Sequence, residues 1–222
     1  MSARDEALAA IARCGLGALL EQASAALDDD PGHDLEHCLR VAGWTLRCAE
    51  AGVEAREALA AALLHDVVNV PKDDPRRAEA SVLSAAEARR VLPAHGFDAE
   101  AVLRVAEAIE DHSYSRGAAP RSALGRALQD ADRLEALGAL GLCRTISTGA
   151  RMGARYFEAA DPWARARALD DRRYSVDHFF TKLLRLSGTL HTEVGRAEAA
   201  RRAAFLERFL DQLADELGIA RP

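Results

Sequence analysis

No stretch of this chain approaches the ~20 consecutive apolar residues that a membrane-spanning helix needs. The N-terminus, "MSARDEALAAIARCGLGALL", carries Arg4, Asp5, Glu6 and Arg13 where a signal peptide needs an apolar core, so it does not read as one. Cysteine is sparse. Cys14, Cys38, Cys48 and Cys143 show neither CxxC spacing nor a small-disulfide pattern, which predicts reduced thiols packed on helices. Together these absences predict a cytoplasmic protein. Basic charge is not in excess either. With 35 acidic against 29 basic side chains and a formal charge of -6, the chain suits neither a nucleic-acid coat nor a polybasic membrane anchor. A small phosphorylated ligand in a local basic pocket remains compatible. Strand-like alternation, internal repeats and low-complexity linkers are missing as well.

What is present is helix periodicity, almost everywhere. At 222 residues, 49% hydrophobic and 29% charged, the chain has an ordinary globular composition and is long enough to bury a sizeable core. The spacing predicts helices over roughly 4–27, 34–51, 54–67, 78–94, 98–111, 121–149 (with a possible break at Gly138 or Gly141), 175–186 and 193–217. Breaks fall at stretches rich in Gly, Pro or Asp, such as "DDDPGHD", "NVPKDDPRR" and "SYSRGAAP". Asp98 in "FDAEAVLRV" is an expected N-cap. The segment from about 150 to 174 is the least regular, a lid or an irregular excursion. The expectation is one all-α domain over residues 1–222.

Three helices each bring metal-type ligands out of an apolar surround. His33 and His37 stand four apart at the start of one helix, and His65-Asp66 close the apolar run "AALLHD". Asp130 and Asp132 sit within "ALQDADRLEALGALG". An ionised Asp in such surroundings is expensive unless it is paired or bound to a metal. Two imidazoles and two carboxylates suit a borderline divalent cation such as Mn²⁺, Fe²⁺ or Zn²⁺. Taken singly, each of these signals also fits a satisfied core histidine or a solvated acidic face. Trp44, Trp163 and Phe179 read as core residues rather than base-stacking platforms.

"HCLRV" (37–41), "AALLHD" (61–66) and "QDADRLEALGALG" (129–141) resemble the H…HD…D signature of HD-domain metal-dependent phosphohydrolases. "HDVVNVPK", "DADRLEALGALGLCRT" and "DHFFTKLLRL…TEVGRAEAARRAAFLERFLDQL" are similar to stretches of the YpgQ/YedJ type, over roughly residues 30 to 215. The resemblance implies an HD-type helical bundle, with a metal-site core at about 30–150 and C-terminal helices at about 175–217 packed on it. It implies His37, His65, Asp66 and Asp132 as metal ligands, with Asp130 as the rival for the last place and Asp34 as a decoy. Asp66 would also orient the attacking water. His33, Lys72, Arg77 and Arg133 would meet phosphate. His112, in "IEDHSYS", would line the pocket as a phosphate contact or as proton donor to the leaving group, and His178 and Lys182 lie on a further family-like stretch. Where some HD nucleotidases resemble HD-x-x-E, this chain has Asn69, which favours the YpgQ/YedJ type and leaves the general base unassigned; Asp73 and Asp74 are nearby carboxylates.

The implied activity is hydrolysis of a nucleotide or another small phosphorylated compound, with Mn²⁺ as the first choice of metal and Mg²⁺, Fe²⁺ or Zn²⁺ as alternatives. Pyrophosphohydrolysis of a nucleoside triphosphate leads, ahead of monophosphate hydrolysis. A di-iron oxygenase would need extra histidines between the HD pair and the last Asp, where only His95 and His112 occur. A non-catalytic nucleotide sensor is the remaining class. Apolar faces on the Ala-rich helices permit a homodimer.

Overall fold

The computed structural model describes residues 2–27, 34–68, 70, 74, 76, 79–114 and 116–222. His33, Asn69, Lys72, Asp73 and Arg77 lie outside the described residues. The described chain is all-α: α1 (Ala3–Arg13), α2 (Gly17–Ala26), α3 (Leu35–Cys48), α4 (Ala55–Leu64), α5 (Ala80–Val91), α6 (Ala99–His112), α7 (Ala123–Glu135), α8 (Gly138–Arg151), a short α9 (Leu184–Leu186) and α10 (Glu193–Leu217). An isolated bridge between Arg155 and Tyr174 is the one extended pairing among the described residues. Contacts divide the chain into two compact units, residues 1–132 with 191–195, and residues 133–190 with 196–222.

Side-chain caps start several helices as the residue types require. Ser2 accepts from Asp5 N, Asp34 from His37 N at 2.8 Å, and Asp98 from Ala101 N at 2.8 Å. The single helix expected over 4–27 is two, because Gly15 takes a left-handed φ of 67° between Cys14 and Leu16. The break foreseen near Gly138 is real: its φ of 70° separates α7 from α8.

In the first unit α4 is the centre. Every residue from Glu57 to Leu64 is buried, as befits a helix that is apolar nearly all round. Fully burying Leu59 or Leu63 contributes about 1.5–3 kcal/mol each. Around it pack α1, α2, α3, α5 and α6. The first helix is tied to α3 by two ion pairs, Arg4 to Glu36 at 2.5 and 2.9 Å and Arg47 to Glu6 at 2.7 Å. Between these pairs the backbones nearly touch, since a Cβ on Gly43 would stand 2.0 Å from the Ala3 carbonyl oxygen.

The second unit holds the irregular segment, and hydrogen bonds tie it down. Arg155 N donates to Arg173 O, and Ser175 N returns to Arg155 O, both at 2.9 Å. The buried Asp177 carboxylate takes both Arg167 Nη atoms, at 2.5 and 2.8 Å, and the Asp170 amide at 2.7 Å. Trp163 is 4% exposed and its indole donates to Ile219 O, while Phe179 is fully buried and stacks on Phe209. Both are core residues, as read from the sequence. Trp44 is half-buried with Arg47 over its ring.

Gly43→Ala should cost about 1–3 kcal/mol, because a methyl group there forces α1 off α3. Thermal melting with hydrogen exchange should show the loss and locate it in α1; an unchanged Tm contradicts the close packing.

Candidate metal centre

The central helix runs out at Leu64, and its last carbonyls lack intrahelical partners. His65 satisfies one of them: its Nδ1 donates to Ala62 O at 2.7 Å. His112 does the same at the end of α6, donating from Nδ1 to Ile109 O at 2.7 Å. A carbonyl can only accept, so both rings carry a hydrogen on Nδ1 and turn Nε2 inward. His37, in the first turn of α3, is held at its backbone amide by the Asp34 cap. Asp34 thus caps the helix that carries His37.

These nitrogens meet two carboxylates. The Nε2 atoms of His37 and His65 lie 3.3 Å apart, and Asp132 Oδ1 is 3.5 Å from the first and 3.9 Å from the second. Asp66 Oδ2 is 3.5 Å from His65 Nε2, and its Oδ1 is 3.6 Å from His112 Nε2. The His65 and His112 rings meet edge to face with centroids 5.0 Å apart. The His37 and His65 side chains are fully buried, while Asp66 and Asp132 keep 19% and 24% exposure, so the cluster opens on its carboxylate side.

Asp130 and Asp132 are two residues apart on α7, about 200° around the helix, and cannot serve one site. Asp130, fully buried, instead accepts from His191 N at 2.8 Å and from the Thr192 amide and hydroxyl at 2.7 Å each. A Cβ on Gly195 would stand 2.4 Å from its Oδ2. Asp130 therefore anchors the start of α10 and leaves the cluster to Asp132. Neighbouring Gln129 accepts from His191 Nε2 at 2.6 Å and donates to Asp111 O at 2.9 Å.

Burial drives the electrostatics. It pushes the His65 imidazole down to about 4, overriding the pull of Asp66. His112 is buried too, but its hydrogen bond and charge interaction with Asp66 win, and its proton affinity is raised. For Asp132, burial alone would raise the carboxyl; His65, His112 and His37 together hold it below the ordinary range. Cys38, buried nearby among Asp66, Asp34 and Asp132, is pushed far up and stays a thiol.

The donor set fits a divalent cation. Two overlapping triads, His37/His65/Asp132 and His65/Asp66/His112, each bring their ligand atoms within 4.8 Å of one another. All are nitrogen or oxygen donors, and His65 and His112 each hold Nδ1 on a backbone carbonyl, which leaves Nε2 facing the cluster.

Other sequence candidates have partners of their own. His95 Nε2 pairs with Gln22 at 2.8 Å, so of the two histidines an oxygenase would need only His112 joins the cluster. Asp74 spends its carboxylate on Arg76. In the second unit Arg133 Nη1 donates to Thr189 O at 2.6 Å, and His178 Nδ1 and Thr181 Oγ1 both meet Asp171 at 2.9 Å. Lys182 lies one turn on, in the π-helical turn Phe179–Leu183.

An all-α scaffold that gathers histidines and aspartates from four helices defines a class of helical metal-site proteins. A profile of the HD domain family matches residues 34–137, which include all five clustered side chains. The chain is 32% identical over 198 residues to YpgQ of Bacillus subtilis (strain 168), covering 86% of this chain and 87% of that protein. It belongs to the HD domain family. The crystal structure of YpgQ in complex with ADP superimposes with a TM-score of 0.71 at 28% identity, covering 95% of this chain and 96% of that one. An HD-superfamily hydrolase from Bacillus thuringiensis follows at 0.65 and 26% identity, covering 99% and 100%. At that general level the chain is an HD-superfamily hydrolase.

A pH dependence follows from His65. The unfolded chain protonates it near 6.5, the folded chain near 4, so between those values the unfolded state binds more protons. Metal-free protein should therefore lose stability as the pH falls through this window, by on the order of 3 kcal/mol in the limit. His112 acts in the opposite sense, its contribution being lost as pH rises through its raised value. Thermal melts in chelator should show a steeper loss between pH 6.5 and 4.5 for wild type than for His65→Gln. Parallel curves contradict the assignment.

Proposed function

We propose that the chain is a metal-dependent phosphohydrolase of nucleotides, cleaving a nucleoside triphosphate between its α- and β-phosphates to give monophosphate and pyrophosphate. The observation that supports this most is the convergence of His37, His65, Asp66 and Asp132 on one point, with a relative, YpgQ, crystallised with ADP. On this reading those four side chains hold the ion, Mn²⁺ ahead of Mg²⁺, Fe²⁺ or Zn²⁺. A divalent ion bound there supplies Lewis acidity and acidifies a water.

The chain's own groups do the rest. His65 stays neutral at working pH and offers Nε2 in a fixed direction. Asp66, steadied on one oxygen by His112, orients the attacking water with the other. His112, with its raised proton affinity, protonates the leaving oxygen. Arg133, His178 and Lys182, with His33, Lys72 and Arg77 beyond the described residues, are the proposed phosphate contacts; phosphoryl transfer asks mainly for positioning and positive charge. We take residues 1–222 to work as one HD-type domain in the cytoplasm.

A panel of divalent metals against nucleoside tri-, di- and monophosphates, with product identification, tests the reading. Mn²⁺ should support pyrophosphate release, and Asp66→Ala should reduce it at least roughly a hundredfold with helical content intact. Asp34→Ala should cost about 1 kcal/mol of stability through the lost cap and keep most turnover. Orthophosphate as the sole product overturns the pyrophosphohydrolase reading. Activity surviving Asp66→Ala but lost in Asp34→Ala reverses the assignment of the two pairs.

A further inference from the structure

Two pairs of residues join α4 to α6, and they keep the same spacing. Glu57 on α4 takes a bidentate grip from Arg104 on α6, Nη2 to Oε1 at 2.6 Å and Nε to Oε2 at 3.0 Å. His65 meets His112 ring to ring at the far ends of the same helices. Both pairs are separated by 47 residues in sequence, so α4 and α6 run parallel and in register over the eight residues between them, about 12 Å. Arg56 adds a second fastening at the entry to α6, donating to the carbonyls of His95 and Gly96 and covering the Phe97 ring at 4.1 Å.

Most of the buried residues between the ion pair and the imidazoles are apolar, and apolar contacts are non-directional. On α4 Leu59 and Leu63 stand among alanines, and on α6 Val105 and Ile109 flank Ala106 and Ala108. Such side chains hold the helices together, but their attraction has no preferred axial direction. The Arg104 fork on a carboxylate that is only 10% exposed is directional, and sliding breaks it. At the other end a slide of even 1 Å would part His112 Nε2 from Asp66 Oδ1, now at 3.6 Å.

We propose that Glu57 and Arg104 are a positioning pair, which sets the axial register of α4 against α6 and so the reach of His112 toward His65 and Asp66. The pair is not among the clustered donors. The inference rests on the metal-centre reading above, and its test separates the two.

Mn²⁺ affinity by paramagnetic resonance and the absorption bands of bound Co²⁺ should be measured for wild type, Glu57→Gln, Arg104→Lys and a core control, Leu19→Ala. Arg104→Lys keeps the charge on a half-exposed side chain but loses the fork, so it remains informative if Glu57→Gln folds poorly. Both interface variants should weaken Mn²⁺ binding about tenfold or more and shift the Co²⁺ bands. Leu19→Ala, in α2, should lower Tm with affinity and spectrum unchanged. Wild-type affinity and spectrum in both interface variants overturns the positioning role whatever happens to Tm. Absence of metal binding in the wild type overturns the metal-centre reading, and the positioning role with it.

Discussion

Two carboxylates and three imidazoles crowd into a few ångströms at the edge of an apolar core, and that crowding needs positive charge to balance it. His65 cannot supply the charge, because burial keeps it neutral down to about pH 4. Without a cation the balance falls partly on His112, whose proton affinity is raised beside Asp66. A divalent ion answers the same need with one particle, and deprotonated imidazoles with ionised carboxylates are the form it requires. The apolar helices around the cluster follow from this constraint. They hold the donors rigid and keep water off the imidazole side.

The scaffold supplies its donors from helix ends and helix starts. His65 and His112 terminate α4 and α6, where each ring also satisfies an orphan carbonyl, and His37 opens α3 just inside the Asp34 cap. Asp132 alone comes from a helix interior, and Asp130 on the opposite face of that helix fastens the entry to α10. Site and fold therefore draw on neighbouring residues of the same helices. In such an arrangement a substitution meant to probe chemistry also probes packing, so Asp34, Asp130 and Glu57 are the informative neighbours.

Much of this was legible beforehand. Helix periodicity marked the all-α architecture and the long α10 at 193–217, and the HD pair at the end of an apolar run pointed to a charge that needed a partner. The choice within "DAD" rested on a resemblance, and in the structure Asp132 is the carboxylate that faces His37. Other features were out of reach because they depend on long-range contacts between residues that look ordinary in sequence. Gly15 looked like one more small residue in an apolar pattern, yet its left-handed φ divides the first helix. No motif singled out Glu57, Arg104 or His191, and Thr192 lay on a family-like stretch without a role of its own. His191 and Thr192 take their meaning from Asp130 and Gln129, some sixty residues away in the chain.

Anomalous diffraction at the manganese edge, from crystals grown with Mn²⁺, tests the central claim most directly. The account predicts one strong peak bonded to His37 Nε2, His65 Nε2, Asp66 and Asp132. A peak at Asp130, or at none of the five clustered side chains, would contradict it.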